Sequence, residues 1–219
     1  MTAESVDLYV VRNEVDPAYG YHCDALATRF PDAEEVDFVA GERIPLDEAN
    51  AVVLSGSSVS VYESDSRPWI AEQERLVHEL VDREIPTLGV CFGHQVVNVA
   101  LGGTVEEVGT TATLTEATLA DDPLFDDVDP VVVSLHGDMV TETGTGMEII
   151  ASADHARVFG TRHKTAPMWT VQFHPEITAS HRDNLVDDFG WDPEQFSFED
   201  VTAGRIFENF AELAVEATP

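Results

Sequence analysis

Three short apolar runs constrain this chain more than anything else in it: residues 6–11 (VDLYVV), Ala51–Leu54 (AVVL) and Thr87–Val90 (TLGV). Helical patterns lie between them. The clearest begins at Pro68, a residue suited to a helix's first turn, and carries Trp69, Ile70, Leu76, Val77, Leu80 and Val81 at the spacing of one buried face. Short apolar strands alternating with helices predict a parallel sheet covered on both faces, because such strands bury both their sides. An open sheet of this kind takes its ligands at the carboxyl ends of its strands.

Beyond Gly102-Gly103, which are expected to end a helix, the texture changes to alternation. Thr104–Leu119, 131–135 and 147–151 read as strands, and 157–161 with 168–173 reads as a hairpin around 163–167. An antiparallel extension of the sheet follows. Ser197-Phe198-Glu199-Asp200 has the form of a capping box, and it predicts the start of a closing helix with Ile206, Phe210 and Leu213 on one face. The expected fold class is α/β: an open, mostly parallel sheet flanked by helices with an antiparallel extension. At 219 residues the chain is long enough to bury a substantial core, and we read 1–219 as one domain.

The charge balance excludes one class of function. Forty-two acidic residues stand against 11 basic ones, for a net charge of −31, and Lys164 is the single lysine, so the cations that phosphate contacts need are heavily outnumbered. We expect no nucleic-acid partner. The acids are interleaved with apolar periodicity, as in Glu72, Glu74, Glu79 and Asp82 on the helix that begins at Pro68. That is the solvated face of a folded protein, similar to the surfaces of proteins from salt-loving microbes, where ionic strength screens the self-repulsion. No apolar stretch approaches the roughly 18 residues of a membrane span. Residues 1–7 lack a basic segment followed by an apolar one. A cytoplasmic protein with no membrane partner is expected.

Of the two cysteines, Cys91 is the one placed for chemistry. Pro86-Thr87-Leu88-Gly89-Val90-Cys91-Phe92-Gly93-His94-Gln95 reads as strand, sharp turn and helix, with glycines two before and two after the cysteine. This mirrors the nucleophile elbow, in which small neighbours allow a strained turn that holds the nucleophile out at the top of a sheet. A thiol there also sits at a helix N-terminus, whose free N–H groups favour thiolate. The alternative is a buried structural cysteine whose glycines only tighten the connection. Cys23, in Gly20-Tyr21-His22-Cys23-Asp24, has no glycine bracket and reads as a packing residue.

A cysteine nucleophile needs a base. Among eight histidines His174 stands out, because Trp169-Thr170-Val171-Gln172-Phe173 delivers it at a strand's end into Pro175 and Glu176. Pro175 cannot continue the pairing, so the imidazole and the Glu176 carboxylate can converge on one side. Such a carboxylate sets the tautomer and stabilises the imidazolium. In isolation, a surface histidine after a strand is the favoured reading; paired with the elbow, it no longer is. His94, His136 and His174 lack metal-site spacing, and neither a metal nor another cofactor is expected.

Taken together, Gly89 to Gln95 and Phe173-His174-Pro175-Glu176 resemble the class I (triad) glutamine amidotransferase family. Leu54 to Tyr62 (LSGSSVSVY) resembles that family's oxyanion loop, and Ser134-Leu135-His136-Gly137-Asp138 resembles the segment preceding the base in the amidotransferase domain of GMP synthase. The matches come in the family's order over about residues 52–176. The resemblance implies a flavodoxin-like amidotransferase fold and glutamine hydrolysis through a cysteine γ-glutamyl thioester. It further implies Cys91 as nucleophile, His174 as base and acid, Glu176 as its orienter, and the backbone N–H groups of Ser57 and Phe92 as oxyanion donors. Gly56, Gln95, Leu135 and His136 would bind L-glutamine.

Two departures stand out. Gly56-Ser57-Ser58 occupies the place where the family usually has Gly-Gly-Pro, and serine is less free than glycine to flip its peptide. Residues 9–13 lack the Gly-Gln-Tyr string expected of a GMP synthase subunit. The chain also contains neither a phosphate-binding P-loop nor the Ser-Gly-Gly-x-Asp-Ser string of an ATP pyrophosphatase, so the ammonia is expected to reach a separate ATP-dependent synthetase chain. The alternatives are a hydrolase of other γ-glutamyl compounds and a non-catalytic regulator; intact Cys91, His174 and Glu176 count against the second.

Overall fold

The computed structural model describes residues 7–217. Val6, the first residue of the expected opening strand, and most of the 1–7 segment lie outside the described residues. The elements in chain order are β1 (Leu8–Arg12), α1 (Tyr21–Ala27), β2 (Glu34–Asp37), β3 (Ala51–Leu54), α2 (Pro68–Asp82), β4 (Thr87–Val90), α3 (Phe92–Ala100), β5 (Thr104–Leu119), β6 (Val131–Glu142), β7 (Met147–Ala153), β8 (Ala156–His163), β9 (Met168–Val171), α4 (Arg182–Phe189) and α5 (Arg205–Ala217). The strands form one sheet in the order β2-β1-β3-β4-β9-β8-β7-β5-β6. From β2 to β9 every pairing is parallel, and from β9 onward every pairing is antiparallel. This is the open sheet with an antiparallel extension that the alternation of the sequence predicts.

Both faces of the parallel half are covered. Val10 and Val53 pack with Leu26 of α1 and Phe207 and Phe210 of α5, while Val11, Val52 and Leu54 pack with Ile70, Val77 and Leu80 of α2 and Val96 of α3. Alternate residues of one strand thus enter opposite cores, as a period of two demands. Each fully buried Phe or Leu stabilises the fold by roughly 1.5–3 kcal/mol, which is why these apolar runs dominate the outcome. No helix among the described residues is long and apolar enough to cross a membrane.

Several boundaries differ from the sequence expectation. The strand read as 131–135 continues to Glu142, because the alternation persists through Val140 and keeps pairing with β5. The strand read as 168–173 ends at Val171, although the N–H of Gln172 still donates to Phe159 O at 2.9 Å. The capping box at Ser197 and Asp200 closes only a short 3₁₀ turn, and the final helix begins at Arg205. The capping bonds and the apolar face of α5 were legible; the start of the helix at Arg205 was not.

What positions the site is the route of β5 and β6. Residues 117–119 of β5 pair with β7, whereas 104–116 pair with β6. β6 thereby reaches the carboxyl ends of the parallel strands, where the N–H of His174 donates to Val133 O at 2.9 Å. Ile177, Leu185 of α4 and Trp191 bury themselves against Leu114, Val131 and Val133 and hold this arm in place.

Candidate active site

Four adjacent parallel strands end at one edge of the sheet. β1 leads into Asn13 and Glu14, β3 into Ser55 to Ser58, β4 into Cys91, and β9 into Gln172 to Glu176. Parallel order alone therefore collects four loops that are far apart in sequence.

Cys91 sits at φ 52°, ψ −102°, a left-handed conformation that is costly for a residue with a Cβ, and α3 starts at the next residue. The bracketing glycines are demanded by contact. A Cβ on Gly89 would lie 2.7 Å from the backbone carbon and oxygen of Gly93, and one on Gly93 would lie 2.5 Å from Leu54 O. The elbow closes because neither side chain exists. Gly93→Ala is therefore expected to push α3 away from β3, destabilising the fold by about 1–3 kcal/mol. Displacement of the thiol should lower turnover about 100-fold. Urea midpoints and steady-state rates measure the two effects, and wild-type values for both would show that the elbow tolerates the methyl group.

The imidazole of His174 is buried between two oxygens. Its Nδ1 lies 2.6 Å from Glu176 Oε1 and its Nε2 lies 3.0 Å from Leu135 O. Two acceptors on two ring nitrogens are satisfied together only by the imidazolium. Burial opposes that charge, but the Glu176 carboxylate and the Cys91 sulfur beside the ring outweigh it, so the pKa of His174 stands well above the ordinary value. The same pairing overcomes burial at Glu176 and lowers its pKa. Cys91 itself faces Leu135 O at 3.9 Å and receives Gln172 Nε2 at 3.6 Å.

Cys91, Ser57, Gln95, Leu135, His136 and His174 line one cavity of about 400 Å³, within the range of small-molecule sites. Gly56, Phe92 and Glu176 stand just behind that wall: Glu176 is bonded to His174, and Gly56 is close enough that a Cβ there would lie 3.5 Å from Cys91 Cβ. The N–H groups of Ser57 and Phe92 have no hydrogen-bond acceptor among the described residues. Gln95 Nε2 donates to Asp138 O at 3.1 Å and to Gln172 Oε1 at 3.2 Å. His136 stacks on His155, and burial together with the neighbouring His155 and His174 pushes its pKa down to about 4, so the ring is neutral at pH 7.

Three residues on the cavity wall were not singled out by the sequence. The Asp138 carboxylate accepts from Ser60 Oγ at 2.5 Å and from Tyr62 OH at 3.0 Å, which fix it on the cavity wall. Glu14 and His22 form a second carboxylate–imidazole pair at 3.0 Å, and the His22 ring meets that of His174 edge-on at 6.0 Å. Burial opposes charge on His22, whereas the Cys23 sulfur and Glu14 outweigh it and push the pKa up to about 10. Asp138 lies inside a quoted motif and was within reach of sequence reasoning. Glu14 carries no local signal at all.

Comparison with known proteins identifies the family and the fold. The family model described as glutamine amidotransferase class-I matches residues 7–192. A glutamine-hydrolyzing GMP synthase of Francisella tularensis subsp. mediasiatica (strain FSC147) is 32% identical over 166 residues, covering 74% of this chain and 29% of that protein. The corresponding protein of subsp. holarctica (strain LVS) is 35% identical over 152 residues, covering 67% and 27%. The chain thus spans less than a third of the length of these curated relatives. Among solved structures, a glutamine amidotransferase from Thermotoga maritima superposes with a TM-score of 0.71 at 18% identity, covering 97% of this chain and 95% of the other. A glutamine amido transferase from Methylobacillus flagellatus gives 0.74 at 14%, covering 98% and 96%. These two likenesses establish the fold.

Proposed function

The chain belongs to the class-I glutamine amidotransferase family, and from that premise we propose that it hydrolyses L-glutamine to glutamate and ammonia through a γ-glutamyl thioester on Cys91. The observation that carries this reading is His174, with Nδ1 on Glu176 and Nε2 turned to Leu135 O beside the Cys91 thiol.

Cys91 Sγ attacks the side-chain amide carbon, and the N–H groups of Ser57 and Phe92 donate to the developing oxyanion. His174 gives its proton to the departing nitrogen as the C–N bond breaks, and ammonia leaves. A water then attacks the thioester, His174 takes its proton, and the C–S bond breaks to release glutamate. Glu176 stays ionised and holds the ring in place. Gly56, Gln95 and the backbone at Leu135 and His136 frame the substrate. The carboxylate of Asp138 meets its α-ammonium group. The named relatives are GMP synthases, and we assign the ammonia to an ATP-dependent synthetase reaction of that kind.

The test is ammonia release from glutamine in molar salt, with γ-glutamyl peptides as competing substrates. Steady turnover of glutamine is expected. Cleavage of the peptides with no turnover of glutamine would overturn glutamine as the substrate and leave a γ-glutamyl hydrolase.

Asp138→Asn separates binding from chemistry. Removing one charge-assisted contact to the ammonium group is expected to raise KM about 10- to 100-fold, with kcat within about twofold of wild type. An unchanged KM would remove Asp138 from the substrate site.

A further inference from the structure

The loop at residues 56–58 is anchored on both flanks by the residues that follow β1. On the near flank, the N–H of Asn13 donates to Ser55 Oγ at 2.9 Å and Asn13 Nδ2 to Ser55 O at 3.1 Å, while Gln73 Nε2 fixes Asn13 Oδ1 at 2.6 Å. Ser55 Oγ in turn donates to Gly56 O at 2.9 Å. A trans peptide holds its C=O and N–H in opposite directions, so that one bond turns the Ser57 N–H away from Ser55. On the far flank, the Glu14 carboxylate accepts from the N–H of Ser58 at 2.8 Å and its hydroxyl at 2.5 Å.

Glu14 is itself held. Its oxygens also accept from the N–H groups of Val15 at 2.8 Å and Asp16 at 2.9 Å and from His22 Nε2 at 3.0 Å, and its side chain is only 5% exposed. Five donors on one buried carboxylate keep it ionised and in place. His22 adds a wall, since a Cβ on Gly56 would lie 3.3 Å from Cε1 of His22 and 3.3 Å from Cε1 of His174. Within residues 56–58 the N–H of Ser58 is bonded to Glu14, whereas that of Ser57, like that of Gly56, has no acceptor among the described residues.

We propose that Glu14, braced by His22, is a positioning residue that locks the 56–58 loop with the Ser57 N–H directed to the oxyanion, so that this chain forms its hydrolytic site with no synthetase bound. The inference rests on the reading of Ser57 as an oxyanion donor. It explains how serines serve where the family has a freer glycine: a loop that is locked in the donor orientation has no peptide to flip.

The experiment uses the full chain with Glu14→Gln, whose amide cannot accept from five donors. Amide hydrogen exchange over residues 55–60, measured with no substrate, is expected to accelerate at least about 10-fold, while β4 and α3 exchange as in wild type. Turnover of glutamine is expected to lose about 100-fold in kcat, with KM within about threefold. Alkylation of Cys91 by iodoacetamide, a displacement that builds no oxyanion, should keep its wild-type rate. Unchanged exchange, or unchanged kcat where wild type is active, overturns the proposal. If wild type does not hydrolyse glutamine, the functional reading fails and the exchange result still decides whether Glu14 locks the loop. Should Glu14→Gln fail to fold, Ser58→Ala removes the hydroxyl donor alone and is expected to act in the same direction, more weakly.

Discussion

Cys91→Ala is expected to abolish glutamine hydrolysis, reducing kcat by about 10⁴- to 10⁶-fold, the scale on which removal of a nucleophile from a cooperating trio acts. No other group can take over the attack. The other cysteine, Cys23, is buried against His22 and Ser55 and is not on the cavity wall. A water in place of the thiol would need His174 to be neutral, yet the ring faces two acceptors and stays charged. Because the substrate-framing groups Gln95, Leu135 and Asp138 are untouched, glutamine affinity measured by calorimetry should remain near wild type. Wild-type enzyme quenched in acid should carry a γ-glutamyl adduct on Cys91 by mass spectrometry, and the variant should carry none. Turnover by Cys91→Ala within tenfold of wild type would require abandoning the thioester.

The second large effect is expected at the imidazole. His174→Ala should lose kcat on a similar scale, since one ring serves as acid and then as base. Glu176→Gln is the more informative variant, with an expected loss of about 10²- to 10⁴-fold. Its sign in pH follows from the pair. Burial alone lowers the pKa of His174, and the Glu176 carboxylate is the first of the groups that reverse this. In wild type the alkaline limb of kcat/KM therefore lies well above the ordinary histidine value of about 6.5. With glutamine at 176 the limb should fall toward or below it. Stability moves with the same sign: the raised His174 pKa contributes stability that is fully present below about pH 6.5 and is lost as pH rises through the folded value. Urea midpoints should fall further below wild type at pH 6 than in strongly alkaline buffer. A variant with the wild-type alkaline limb would show that Glu176 does not govern the charge on His174.

Most of the architecture was legible because it is written in short-range periodicity. The runs at β1, β3 and β4 bury both sides, and the face of α2 from Ile70 to Leu80 recurs at helical spacing. The short helices were harder. α4 has eight residues and buries only Leu185, too little apolar repetition to mark it before the arm it covers is known. The end of β6 was missed for a related reason. Gly137 interrupts the apolar pattern of the strand, but β6 continues to pair with β5, with His136 opposite Thr111 and Asp138 opposite Glu107.

Within the site the division is sharper. The sequence by itself determined the turn at Cys91 through Gly89, whose contact with Gly93 joins residues four apart, whereas Gly93 is demanded by Leu54 O of a neighbouring strand. It likewise determined His174 and Glu176 as neighbours, since they are two residues apart across Pro175. Only the tertiary structure decided that β6 would bring Leu135 O to the imidazole, across 39 residues, and that Ser60 and Tyr62 would fix Asp138, across 78 and 76. It alone decided that Glu14 would reach Ser58, across 44. Local motifs record bonds that a few backbone dihedrals close. Contacts between the ends of different strands depend on the order in which the sheet assembles, and no window of the chain carries that order.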